Sequence, residues 1–393
     1  MPLLTTSVPQ PRAPLPGWGG GADLRARLRV PRFSAIWVAT AVLFALSPLL
    51  ASGSVSRSAL LSMLPFAAIL AIAGIGQTLV IQQRGLDLSV PGMITLSSIL
   101  VTRIPDGHDD RLWKAIGVIL LACIASGLVS GIAITYFSIT PLVATLGVNA
   151  LLQGVIFQIT SGASTSAAPP GLADFSLDKT FGIPNALLIA VAVILIVAGI
   201  IRSTVVGRRF VAVGASPAAA HAAGVRVKAY EVATYVFASI TYGAAGILVA
   251  GFLDTPGIGA GNNYLLPTIA AVVLGGTSLV GGVGSVVATG GGALFLTQLD
   301  QVVRGMGYGT AVQFIIQGSI IAVGMAFGAV HWRRLRAFLR DRPPPPTVLS
   351  ATAGAFASPH STPASGDIDP TSDETSPASH PRDESGHPPS NGV

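Results

Sequence analysis

Long apolar stretches separated by short polar segments dominate residues 33–330. A transmembrane helix needs about 20 mostly apolar residues, and by that rule the pattern predicts ten spans. They lie at residues 33–51, 59–82, 86–102, 113–135, 139–160, 184–201, 230–251, 264–280, 283–300 and 311–330. The third, eighth and ninth are short or contain Pro and Gly, so we expect interrupted helices there. The sequence therefore predicts an all-α integral membrane fold.

The order of the spans predicts an internal repeat of inverted topology. Spans two to five begin on one side of the membrane, and spans seven to ten begin on the other. Gly85-Leu86-Asp87 follows span two, and Phe252-Leu253-Asp254 follows span seven, each with a proline shortly after. Inverted repeats with interrupted helices are typical of transporters, in which the solute path lies between the two halves.

The two ends of the chain differ in composition from the rest. Residues 1–32 are polar, with Pro, Gly and Arg, and residues 331–393 are basic at first and then rich in Pro and Ser. Segments with so few large apolar side chains cannot bury enough surface to fold. We expect a disordered cytoplasmic arm at 1–32, a transmembrane domain at 33–330 and a disordered cytoplasmic tail at 331–393. The length of the arm favours a retained first span over a cleaved signal peptide.

Composition and charge support a membrane protein. Only 10% of the residues are charged, against about 25% in soluble domains. The net charge of +6 could indicate nucleic-acid binding, but its distribution favours membrane topology and no nucleic-acid partner. With the N-terminus inside, 17 of the 23 Lys and Arg residues lie in cytoplasmic segments, which satisfies the positive-inside rule for an even number of spans. The single cysteine excludes disulfides within the chain.

A short capped helix is predicted between spans six and seven. Ser216 can cap its first turn, Pro217 suits the first helical position, and Gly224 can close its far end. The residues between are mostly alanine, a strong helix former, and the segment includes Ala219, Ala220 and His221, with Arg208 and Arg209 shortly before it. Such a helix is either a docking element for a partner or a solvated connector.

The stretch Gly85 to Ser89, GLDLS, places a carboxylate at the edge of span three. Asp87 is the only acidic residue between Asp23 and Asp106, and a carboxylate at the membrane is costly. The favoured interpretation is that Asp87 or Ser89 caps the third span. The alternative is a role in gating or in contact with a cytoplasmic partner.

A glycine-rich stretch at residues 275–285 joins spans eight and nine. It lacks the Gly-Lys-Ser/Thr ending of a phosphate-binding loop, so no nucleotide site is predicted. We expect a tight break in which the backbones approach closely and Thr277 and Ser278 satisfy the freed carbonyl groups. The glycines concerned are Gly275, Gly276, Gly281 and Gly282.

The polar side chains in and beside the spans are mainly neutral amides. An ion-driven carrier usually has buried charged residues in its spans, whereas neutral amides suit a neutral polar solute. The same amides also serve as contacts between membrane helices, and both roles stay open for each of them. The candidates for a solute path are Gln77, Asn149, Gln153 and Asn262. The sequence offers no nucleophile beside a base and no metal or cofactor motif, so we expect no catalytic site, metal or cofactor.

Three stretches together resemble the permeases of ribose/sugar-type ATP-binding-cassette importers: GLDLS at 85–89, GRRFVAVGASPAAAHAAGVRV at 207–227 and IAAVVLGGTSLVGGVGS at 269–285. The resemblance covers about residues 33–330. The chain departs from the family pattern at two places: Pro91 stands where family members often have Gly, and residues 262–267 lack the acidic residues that many members have there. The second departure weakens any inference about the solute.

The resemblance implies a bacterial inner-membrane pore subunit for a sugar or similar small polar solute. It implies cytoplasmic ATP-binding subunits, an extracytoplasmic solute-binding protein and a second permease subunit, identical or sister. The helix at 216–224 would be the coupling helix that docks on the ATP-binding subunit, with ATP hydrolysis in that separate subunit. The alternative is a self-contained carrier or channel, which would be expected to hold an ion-coupling carboxylate within the membrane.

Overall fold

Helices make up most of the computed structural model, which describes residues 33–163 and 166–323. The first half contains α1 (Ala35–Leu50), α2 (Arg57–Gln82), α3 (Val90–Arg103), α4 (Leu112–Thr135), α5 (Pro141–Thr160) and α6 (Pro170–Leu177). The second half contains α7 (Asn185–Ser203), α8 (Val205–Ala215), α9 (Pro217–Ala222), α10 (Val227–Leu253), α11 (Leu265–Leu274), α12 (Val286–Gly305) and α13 (Thr310–Val323). The predictions for residues 1–32 and 331–393 lie outside the described residues.

Each of the ten predicted spans contains a helix, so the all-α membrane fold is confirmed. Within residues 33–163 and 166–323, five helices are long and apolar enough to cross a membrane: α2, α4 with the 3₁₀ turn before it, α5, α7 and α10. The third and eighth spans are short, as predicted, with 14 residues in α3 and 10 in α11. The prediction for the ninth span was wrong, because α12 is an uninterrupted helix of 20 residues whose first turn is capped by Ser285.

The sequence pattern missed three elements that lie between the spans. Helix α6 and a two-stranded antiparallel hairpin, Lys179–Thr180 with Ile183–Pro184, precede α7. Helix α8 occupies residues that were predicted only as the approach to the capped helix. Both halves contain a long helix that is followed by a break and a short helix. The long helix is α2, with 26 residues, in the first half and α10, with 27 residues, in the second.

Helices α2 and α10 form the centre of the packing. In their most apolar windows, 67% of α2 and 61% of α10 is buried, against 17% of α7 and 28% of α5. Exposed large apolar side chains cover the outer faces of α4, α5 and α7, as expected for helices that face lipid. These outer helices are surrounded by lipid hydrocarbon and not by water, so exposing their leucines and valines costs no free energy.

Glycines allow the central helices to approach backbone to backbone. A Cβ at Gly76 of α2 would lie 2.9 Å from the Cα of Ala238 of α10. A Cβ at Gly127 of α4 would overlap the backbone of Val236, with 2.7 Å to its nitrogen. Small residues at such crossings are a common means of packing membrane helices, because burial from water cannot hold helices together inside lipid.

Polar side chains connect these helices across their interfaces. The hydroxyl groups of Thr78 and Thr289 lie 2.7 Å apart and join α2 to α12. Gln298 of α12 donates through Nε2 to the hydroxyl of Ser47 in α1 at 2.8 Å. The amide of Gln298 therefore serves as a contact between helices, which is one of the two roles expected for such amides.

We predict that Gly127→Ala destabilises the protein by about 1–3 kcal/mol, because the added methyl group forces the α4 and α10 backbones apart. The measurement is the midpoint of thermal unfolding in detergent. Gly117→Ala on the same helix is the matched control, since a Cβ there meets nothing within 4 Å. Equal midpoints for the two variants would contradict the close backbone contact.

Candidate functional site

The predicted capped helix is confirmed as α9, a six-residue helix with a defined stop at each end. The hydroxyl of Ser216 accepts a hydrogen bond from the backbone nitrogen of Ala219 at 3.4 Å, and Pro217 is the first helical residue. At the other end Gly224 has φ +78°. Its N–H bonds to the carbonyl of His221, and the next N–H bonds to that of Ala220, which is the Schellman pattern.

The outer surface of α9 is small and apolar. Ala219, His221 and Ala222 are exposed. Ala220 was expected to belong to the docking surface, and this is corrected, because its side chain is 4% exposed and packs inward. The outward-facing groups are therefore methyl groups and one imidazole, carried by a helix with caps at both ends.

The exposed face of α8, the helix directly before α9, carries basic side chains. The apolar side chains Phe210 and Val213 are buried, while Arg208 and Arg209 are exposed. Thr204 caps α8, because its hydroxyl accepts from the N–H of Gly207 at 3.1 Å. Since the buried face of α8 is fixed against the protein, its two arginines point away from the core.

The end of α2 holds the end of α8 in place. Arg84 donates through Nε to the carbonyl of Gly214 at 3.0 Å and through Nη2 to that of Ala215. Gln83 donates through Nε2 to the carbonyl of Phe210 at 2.8 Å. Sequence reasoning counted Arg84 only as a cytoplasmic charge. Its position could have indicated a special role, because it directly follows the end of α2, where glycine is the usual residue.

The glycine-rich stretch meets the same end of α2. The N–H of Gly282 donates to the carbonyl of Gln82 at 2.8 Å, and both Gly281 and Gly282 have positive φ. A Cβ at Gly214 would overlap that same carbonyl of Gln82, and a Cβ at Gly282 would lie 2.7 Å from the Cα of Ala215. The stretch is thus the predicted tight break, and its glycines are required by backbone contact with α2 and α8.

The expected role of the hydroxyl groups in this break is corrected. The buried hydroxyl of Thr277 has no hydrogen-bond partner among the described residues. Backbone groups satisfy the break instead, since the N–H of Thr277 bonds to the carbonyl of Val272 and the N–H of Ser278 bonds to that of Val283. Gly275 packs against α12, where an added Cβ would lie 2.9 Å from the nitrogen of Thr289.

The cap predicted for span three also has a different form. Ser89 precedes α3, but its side chain makes no cap hydrogen bond to the helix. Asp87 instead accepts from the N–H of Ser89 at 2.9 Å and from its hydroxyl at 2.6 Å. The carboxylate closes the turn before α3, and it is almost fully buried. Gly85 is needed beside it, because a Cβ there would overlap the hydroxyl of Tyr235.

Of the four candidates for a solute path, Asn149 and the turn that carries Asn262 contact α3, and Gln77 lies in the centre of the packing. Asn149 of α5 accepts from the N–H of Gly92 at 2.9 Å. Asn262 is exposed in a 3₁₀ turn. Gln153 is half-buried, and Gln77 is fully buried and accepts from the hydroxyl of Tyr242 at 3.0 Å. None of the four hydrogen-bonds to another in the described ranges, so the path stays a prediction.

We predict that Ser216→Ala loosens α9 by about 1 kcal/mol, because the first turn loses its side-chain cap. Backbone amides at 219–222 should then exchange with deuterium about fivefold faster, which hydrogen-exchange mass spectrometry can measure. Ser216→Asp is the matched control, since aspartate also caps helices. Unchanged exchange in Ser216→Ala would show that contacts with the rest of the protein, not the cap, hold α9.

Comparisons with known proteins identify the family of this chain. Residues 59–325 match the family described as Branched-chain amino acid transport system / permease component. The ribose import permease protein RbsC of Escherichia coli strain K12 is 30% identical over 292 residues, which are 73% of this chain and 91% of that protein. RbsC of Bacillus subtilis strain 168 is 32% identical over 269 residues, or 68% and 83% of the two chains.

A third relative is the autoinducer 2 import system permease protein LsrC of Escherichia coli O9:H4 strain HS. It is 28% identical over 326 residues, which are 81% of this chain and 94% of the relative. No solved structure matches at a significant level. The chain therefore belongs to the family Branched-chain amino acid transport system / permease component, as a membrane-spanning permease subunit of an ATP-binding-cassette importer.

Proposed function

We propose that this permease imports a sugar or a similar small polar solute. The observation that carries this is the likeness, over most of the chain, to permeases named for ribose and for autoinducer 2 import. The character of the interior agrees with it, because the buried polar groups of the central helix α2 include the neutral Gln77. Neutral hydrogen-bonding groups match the hydroxyl groups of a sugar.

Helix α9 is the element that docks on a cytoplasmic ATP-binding subunit. Three features support this role: caps at both ends, an exposed surface of Ala219, His221 and Ala222, and the neighbouring Arg208 and Arg209. A short helix with a small apolar face fits into a groove without displacing large side chains. The basic residues on the preceding helix α8 suit an acidic rim around such a groove. ATP is hydrolysed in that partner and not in this chain.

The remaining partners follow from the same assignment. An extracytoplasmic solute-binding protein delivers the solute, and a second permease subunit, identical or sister, completes the pore. Both termini lie in the cytoplasm, which the distribution of Lys and Arg supports. The solute passes beside the interrupted helix α3, whose first turns contact Asn149 and, through Gly261, the turn that carries Asn262.

A self-contained carrier is the alternative, and the two differ in their energy source. A carrier driven by an ion gradient places a charged group on the ion path. The buried Asp87 is a carboxylate of this kind, but it is engaged by two donors from Ser89. This engagement favours a structural role for Asp87 and so favours the ATP-driven importer.

We expect the tagged full-length chain, purified in mild detergent from its native membrane, to retain an ATP-binding subunit in about equal amount and to show ATPase activity. Ala219→Arg with Ala222→Arg should lower the recovered subunit about tenfold, because the bulky charges block the groove. Ala219→Ser with Ala222→Ser is the matched control, which keeps side chains small and should retain the subunit.

Two results would contradict the proposal. Normal recovery of the ATP-binding subunit with the arginine variant would rule out α9 as its docking element. Purification of the chain alone, together with ribose uptake into liposomes that contain no ATP, would favour the self-contained carrier.

A further inference from the structure

Helix α2 ends in a pattern that usually requires glycine. The N–H of Arg84 bonds to the carbonyl of Ile81, and the N–H of Gly85 bonds to that of Val80. This is the Schellman pattern, in which the residue after the helix adopts a left-handed conformation. Here that residue is Arg84, with φ +67°. A side chain in this conformation is strained, and strain of this kind persists where surrounding contacts fix it.

The contacts that fix Arg84 come from the end of α8. Its guanidinium group donates to the carbonyls of Gly214 and Ala215, which are left without partners where α8 stops. Helix α9 begins two residues later, at Pro217. Arg84 is thus the side chain that joins the membrane helix α2 to the base of the docking helix.

The neighbouring residues strengthen the same joint. Gln83 bonds to α8 one turn earlier, at the carbonyl of Phe210, and the carbonyl of Gln82 accepts from Gly282. A Cβ at Gly281 would overlap the side chain of Arg84. The end of α2 therefore contacts both α8 and the glycine-rich stretch. A shift of any one of these three elements would break hydrogen bonds to another.

The other end of the turn between α2 and α3 is tied to α10. Asp87 holds Ser89 and also interacts with the hydroxyl of Tyr242. The same hydroxyl donates to Oε1 of Gln77 in α2 at 3.0 Å. The turn is thus in contact with α10 at one end and, through Arg84, with α8 at the other.

We propose that Arg84 is a positioning residue through which movement of α8 and α9 reaches the turn before α3. The inference rests on the proposed function, because the movement is the one that ATP binding by the docked partner produces. Two anchored ends make the turn a rigid connection. When α8 shifts, Arg84 shifts the end of α2, and the turn carries that shift to the first turns of α3, beside the proposed solute path.

The test uses the complete complex with its ATP-binding subunit in lipid nanodiscs, and the probe is a non-hydrolysable ATP analogue with Mg²⁺. Hydrogen-exchange mass spectrometry follows two segments, 217–225 in and after α9 and 85–95 at the start of α3. In the wild type, the analogue should change exchange about tenfold in both segments. In Arg84→Gly the change at 217–225 should persist and the change at 85–95 should fall below about twofold.

The choice of variants separates transmission from folding. Glycine suits the left-handed position, so Arg84→Gly removes the guanidinium contacts and relieves backbone strain at the same time. Arg84→Asn is a second variant for the case that Arg84→Gly does not assemble, since asparagine tolerates this conformation and is too short to reach α8. Arg84→Lys can donate to one carbonyl and should restore part of the response at 85–95. Arg57→Gly, at the opposite end of α2, is the matched control and should behave as the wild type.

The outcomes distinguish this inference from the proposed function. A response at 85–95 that survives in Arg84→Gly and Arg84→Asn overturns the role of Arg84, and so does a wild type that responds only at 217–225. Loss of both responses in the variants also overturns it, because Arg84 would then only hold α9 in place. If the wild-type complex binds no ATP-binding subunit, the proposed function itself fails.

Discussion

Every interruption of a helix inside this protein leaves backbone groups that must find partners away from water. Lipid offers none, so the protein supplies them from distant parts of the chain. The break before α3 uses Asp87, the break before α11 uses Thr95, whose hydroxyl accepts from Gly261 at 2.9 Å, and the break before α12 uses the carbonyl of Gln82. These hydrogen bonds satisfy backbone groups at the breaks. They therefore offset the cost of interrupting a helix inside the membrane.

This requirement places the partner-facing surface and the membrane interior in one connected structure. The last carbonyl groups of α8 accept hydrogen bonds from Arg84 at the end of α2, and the same end of α2 supports the glycine-rich break. Helix α9 begins directly after that junction, at Pro217. A permease of an ATP-driven importer must pass mechanical work from a separate protein into its own spans, and this junction provides a short route of polar contacts.

Features that depend on neighbours in sequence could be predicted, and features that depend on distant contacts could not. The caps of α9 are local, so Ser216, Pro217 and Gly224 were correctly assigned. The apolar lengths of the spans are local as well, and they gave the membrane fold. The inward direction of Ala220 depends on what lies beneath α9, and the grip of Arg84 on Gly214 joins residues 130 positions apart. Asp87 or Ser89 was expected to cap the third span, but the partner of Asp87 is its own turn and not the helix that follows.

The meeting of Gln82, Gly214 and Gly282 has a consequence for how this sequence can vary. The three residues share one point of backbone contact, in which each glycine leaves room for the others. Substitutions at residues that share a contact do not have additive effects. A methyl group at Gly214 or at Gly282 would meet backbone atoms of Gln82 or Ala215, so no change of side chain at those positions makes room for it. Both sites, although far apart in the chain, are therefore expected to accept no residue larger than glycine while this contact is kept.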